Sequence, residues 1–124
     1  MKKSHLVFLA FTLILLVALF ADTVEGALLR GISKNVTTAG VKEAVSAGTD
    51  ALLWVRIQVK RTNTGAIFVE TEDGVQQELP APIAGLLLPW MEIPGNSRIR
   101  LSDIYIDSAV NGEGVNVHYL TQVN

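Results

Sequence analysis

Hydrophobic and polar positions alternate most cleanly at Val55, Ile57 and Val59, which interleave with Arg56, Gln58 and Lys60. A period of two puts one set of side chains on each face of a strand, here one apolar face and one wet face. The same period returns at Val115, Val117 and Tyr119, which alternate with Asn116 and His118, and less strictly at Ile99, Leu101, Ile104 and Ile106. Between these last two runs lies Asn111-Gly112-Glu113-Gly114. Asn-Gly accepts positive φ at little cost, so the pattern predicts a closing β-hairpin across residues 98–119. A second hairpin is predicted from Trp54–Lys60 and Ala66–Thr71 about the turn Arg61-Thr62-Asn63-Thr64-Gly65, with Ile67 and Val69 on one face and Phe68 and Glu70 on the other.

The remaining segments are read around these strands. Glu72-Asp73-Gly74 is a turn and Val75–Leu79 a short edge-like strand. Val36–Val45 fits a helical face or a strand, and its β-branched residues favour the strand. Ser46–Asp50 then reads as a turn, and Ala27–Asn35 as a connector. Ile83–Ile93 is the richest apolar run of the domain, but Pro89 within it forbids an uninterrupted helix or a long central strand. An extended segment closing the core is expected there, followed by the turn Pro94-Gly95-Asn96-Ser97. Turn signals therefore recur roughly every 8–12 residues, a spacing typical of an all-β sandwich or small barrel.

The leader has a different pattern. Met1-Lys2-Lys3 is basic, and Leu6–Ala21 is apolar except for Thr12. Its 16 residues lie between a signal-peptide core and a short membrane span. Lysines before the run and the acids Asp22 and Glu25 after it agree with the positive-inside bias. Two fates are open: cleavage before Ala27, or retention as a membrane anchor through Leu6, Phe8, Leu13, Leu16 and Phe20. The expected organisation is thus a hydrophobic anchor or signal segment over 1–26, a connector over 27–35 and a β-sandwich domain over 36–124. The expected fold class is all-β, a small jelly-roll-like β-sandwich preceded by one N-terminal hydrophobic helix.

Composition narrows the chemistry. There is no cysteine, so disulfides and thiolate metal sites are absent. The net charge is −2, and the leader holds two of the 10 basic and two of the 12 acidic residues, so the domain alone also carries −2. No basic field for nucleic acid is available. Asp107–Gly112 superficially resembles the start of a calcium loop, but Ala109 takes an oxygen-ligand position and His118 stands where the closing glutamate belongs. Asp103, Asp107 and Glu113 are the acids available for an acid–base pair, with nothing in the sequence to set a substrate beside them. His5 lies in the leader and His118 is the domain's one histidine, which cannot make a zinc site alone. Ser97, Ser102 and Ser108 lack a nucleophile-elbow context, and Gly112-Glu113-Gly114 is no phosphate loop. Asn35-Val36-Thr37 fits a glycosylation sequon, a motif common by chance. No enzyme activity, cofactor or metal is expected. Trp54, Phe68, Trp90 and Tyr105 are too scattered for a base-stacking platform and are read as core or interface residues. A protein or membrane contact is placed at Leu86, Leu87, Leu88 and Trp90, because a proline-broken apolar loop is hard to bury fully.

Taken together, the Trp54–Val59 strand, the Asn63-Thr64-Gly65 turn, Ile67-Phe68-Val69, Leu101–Asp107 and Asn111–Val115 resemble small β-rich structural proteins of bacteriophage virions, of the decoration, fibre or spike type. The resemblance covers about residues 51–119. It departs from that pattern at Glu70-Thr71-Glu72, where a glycine is usual, and in the hydrophobic N-terminus. What it implies is a non-enzymatic virion protein, membrane-associated through the N-terminal helix, whose β-domain contacts capsid or spike subunits in many copies or as a homo-oligomer. The alternative is an exported bacterial binding module, periplasmic or secreted, built as a β-sandwich or as an OB-like barrel with strands near 54–60, 66–71, 75–79, 98–106 and 115–123. An OB-like barrel calls for a helix at about 82–92, against which Pro82 and Pro89 argue.

Overall fold

The computed structural model describes residues 26–122, apart from Val75, Asn96 and Ser97. Eight strands follow in chain order: β1 Ala27–Asn35, β2 Glu43–Ala44, β3 Leu52–Val59, β4 Ile67–Thr71, β5 Gln76–Leu79, β6 Trp90–Pro94, β7 Ile104–Ser108 and β8 Gly114–Gln122. One 3-10 turn, Leu101–Asp103, precedes β7. The strands form two antiparallel four-stranded sheets, ordered β1-β8-β3-β6 and β2-β7-β4-β5. In this winding, that of a jelly roll, every connection but β4–β5 passes from one sheet to the other.

An aliphatic core lies between the sheets. Val55, Ile57, Val59, Ile93, Val115 and Val117 of the first sheet meet Ile67, Val69, Leu79, Ile104 and Ile106 of the second. β-Branched side chains are stiff at χ1 and pack well on a pleated surface, which suits them to this layer. Val36, Val45, Leu52 and Leu101 close its ends. No aromatic residue is buried among the described residues; the rings sit on the outer faces or at the margin of the core.

Several expectations are corrected. The expected fold class, with one N-terminal hydrophobic helix ahead of the sandwich, does not stand: the described chain is two antiparallel sheets without an α-helix. The leader, with Leu6, Phe8, Leu13, Leu16 and Phe20, lies outside the described residues. Among the described residues no helix is long and apolar enough to cross a membrane. Residues 27–35 are a strand, not a connector, paired with β8 along their whole length. The strand favoured over Val36–Val45 shrinks to the two residues of β2. Neither predicted hairpin exists as such, because β3 and β4 lie in different sheets, as do β7 and β8. Asn111-Gly112 still turns the chain, with Gly112 at φ 83°, but it turns it from one sheet into the other. Residues 80–89 carry no helix, and two separate sheets replace the OB-like alternative.

The register defines two poles. Ala27 opposes Gln122, Leu52 opposes Thr121 and Pro94 opposes Trp54, so the chain enters the fold at the pole made by these ends. Asn35 opposes Gly114, Val59 opposes Val115 and Trp90 opposes Gln58 towards the other pole. The loop 80–89 lies at that far pole, since the Val59 N–H donates to the Pro89 carbonyl at 3.0 Å. An eight-residue strand such as β3 separates the poles by about 26 Å.

Candidate interaction surfaces

The four residues singled out in the apolar run do not form one patch. Leu86 and Leu87 lie at the tip of the 80–89 loop, with Leu87 92% exposed and Ile83 also exposed beside them in sequence. A turn in which the Leu86 N–H donates to the Ile83 carbonyl at 3.1 Å forms this tip. Leu88 instead packs against the core. Trp90 begins β6 and lies on the outer face of the first sheet.

On that face the register sets side chains in rows. Trp54, Arg56 and Gln58 of β3 point outward because Val55, Ile57 and Val59 point in. Arg56 opposes Glu92 on β6 and His118 on β8. Its guanidinium donates to Glu92 Oε1 from Nη2 at 2.6 Å and from Nε at 3.2 Å. It also lies 4.5 Å from the Trp90 ring centroid and 5.6 Å from that of Trp54. A cation over an aromatic face is attracted by the ring quadrupole, so the two indoles and Glu92 hold Arg56 in one place. Nearer the entry pole, Leu29, Leu120, Trp54 and Pro94 make one row across all four strands.

Each of the acids considered for chemistry accepts from nearby backbone. Asp103 accepts from the Arg100 N–H at 3.0 Å at the entry pole. Asp107 accepts from the Ser108 N–H at 2.7 Å. Glu113, buried at the far pole, accepts through Oε1 from the Thr64 N–H at 2.7 Å, the Thr64 hydroxyl at 2.8 Å and the Gly65 N–H at 3.3 Å. Its Oε2 has no hydrogen-bond partner among the described residues. No group of three or more histidine and acidic side chains is close enough to hold a metal ion among the described residues. Asn35 is exposed at the end of β1, where its side-chain oxygen accepts from the Lys60 ammonium.

Two organising residues were not singled out from the sequence. Asn63 is buried and grips the Gly114 backbone, accepting from its N–H at 2.9 Å and donating to its carbonyl at 2.8 Å. Glu43 gathers the β1–β2 connection: Oε2 accepts from Lys34 Nζ at 2.8 Å and the Thr37 hydroxyl at 3.0 Å, and Oε1 from the N–H groups of Thr38 at 2.9 Å and Thr37 at 2.5 Å. Lys34 first, then the backbone donors, lower its carboxyl to about 2 from an ordinary 4.5. The only sequence signal for these roles was a turn-rich context at Asn63 and a strand end at Glu43.

Comparison with protein-family models, with curated proteins and with solved structures finds no match to this chain.

Proposed function

We propose that this chain is a non-enzymatic structural protein of a virion, tethered to a lipid membrane by its apolar segment 6–21 and joined to capsid or spike subunits through the far pole of its β-domain. The observation that carries the reading is the exposed cluster Ile83, Leu86 and Leu87 at the pole opposite chain entry. An exposed apolar loop tip on a domain with its own core supports a contact with another molecule at this pole. The resemblance of the strands and turns to phage structural proteins supports the virion setting, and jelly rolls are frequent in capsid subunits, though that is analogy of fold alone.

Replacing Leu86 and Leu87 together by aspartate tests the contact. The double variant keeps the wild-type melting temperature but no longer co-sediments with the assembled particle or multi-copy complex. A variant that remains in the assembly removes the loop from the interface.

A second reading, an exported binding module, is favoured by Trp54 and Trp90 flanking Arg56 on an open sheet face, since Trp and Arg are enriched where interfaces bind tightly. Recovery of the chain without its leader as a soluble monomer supports this alternative.

A further inference from the structure

We infer that the entry pole of the first sheet is a lipid-contact surface that rests in the headgroup layer of the bilayer, an orientation that depends on the tethered reading above. Leu29, Leu120, Trp54 and Pro94 form an apolar row on the outer face, one residue from each strand. Leu28 and Leu29 are exposed, Leu29 by 63%, although both belong to a regularly paired strand. A shift of register between Leu52 and Trp54 lets Leu52 enter the core and turns Leu53 outward, 48% exposed. Gly95 packs against this irregularity so closely that a Cβ there would overlap the Leu52 carbonyl oxygen and the Leu53 carbonyl carbon. The fold therefore has a fixed backbone arrangement that presents Leu53 to the outside.

The length of the tether names the occupant. The apolar run ends at Ala21 and β1 begins at Ala27, leaving five residues between them. Even fully extended, that stretch spans only on the order of 20 Å. The headgroup region on each side of a bilayer is roughly 5–7 Å deep, so the first residues of β1 stay close to it. Tryptophan is enriched at that level because its ring is apolar and its N–H wet. Trp90 lies on the same face but opposes Gln58, four positions from Trp54 along β3 and about 13 Å farther from the entry pole.

The two tryptophans of the chain make the test direct. Full-length Trp90→Phe and Trp54→Phe are each reconstituted into phosphatidylcholine/phosphatidylglycerol vesicles carrying a headgroup nitroxide. Flotation reports tethering, and fluorescence quenching reports the depth of the one remaining indole. The inference predicts that Trp54 is quenched at least threefold more than Trp90, and that adding Leu29→Asp with Leu53→Asp removes this difference while the chain still floats. Equal weak quenching of both indoles in floating protein overturns the lipid contact and leaves the tether intact. Trp54 shielded from both the nitroxide and aqueous acrylamide means a second copy covers the row, which also overturns it. A chain that does not float refutes the tether, and the orientation with it.

Discussion

At the scale of single residues, polar side chains far apart in sequence close the corners of the sandwich. Asn63 adds to the backbone pairing where β3 leaves the first sheet: its amide offers Gly114 one donor and one acceptor, beside the Lys60 N–H that reaches the same carbonyl at 3.0 Å. Asn63→Ala leaves the buried Gly114 N–H without its side-chain acceptor, while the Gly114 carbonyl keeps the Lys60 N–H at 3.0 Å, and is expected to cost about 1–3 kcal/mol in urea unfolding. A loss below about 0.5 kcal/mol, the range of ordinary surface changes, means the clamp is dispensable. Glu43 gives a pH signature. Its carboxyl is lowered on folding, so its contribution is complete above about 4.5 and fades as pH falls towards about 2. Wild-type protein should therefore be more stable than Glu43→Gln at neutral pH, with the gap closing over that acid window. A gap unchanged from pH 7 to 2.5 contradicts the linkage. Neither role was legible in the sequence: each depends on which backbone amides arrive from elsewhere in the chain, and Asn63 meets a partner 51 positions away.

At the scale of elements, alternation located strands well where one face is buried and poorly where neither is. β3 has that pattern, with Val55, Ile57 and Val59 wholly inside. β1 does not, because it is an edge strand exposed along most of its length, and Gly31 interrupts its apolar positions. Turn chemistry was legible at Asn111-Gly112, but a turn signal does not say whether the strands it joins share a sheet. In this winding the β7–β8 turn crosses between sheets, and Gly112 donates to Val36 at 2.9 Å across the corner. The 80–89 loop divides its leucines between two tasks. Leu88→Ala should cost about 1–2 kcal/mol through lost burial, whereas Leu87→Ala should stay within about 0.5 kcal/mol. Paired thermal melts measure the difference, and equal costs would place both side chains against the core.

At the scale of the whole molecule, the sandwich has two unlike ends. One carries the chain entry, five residues beyond the apolar run, and the other carries Leu86 and Leu87. A body about 26 Å long with these ends suits a tethered spacer that meets a neighbour at its tip. The all-β character was legible from the turn spacing, because short strands require frequent turns. The polarity was not, since it follows from which strands pair and in what register. The intact mass of the native chain recovered from its membrane or particle fraction tests the tethered account most directly. A tethered chain, as the account predicts, has a mass that includes residues 1–26. A mass that begins near Ala27, found in the soluble fraction, contradicts it.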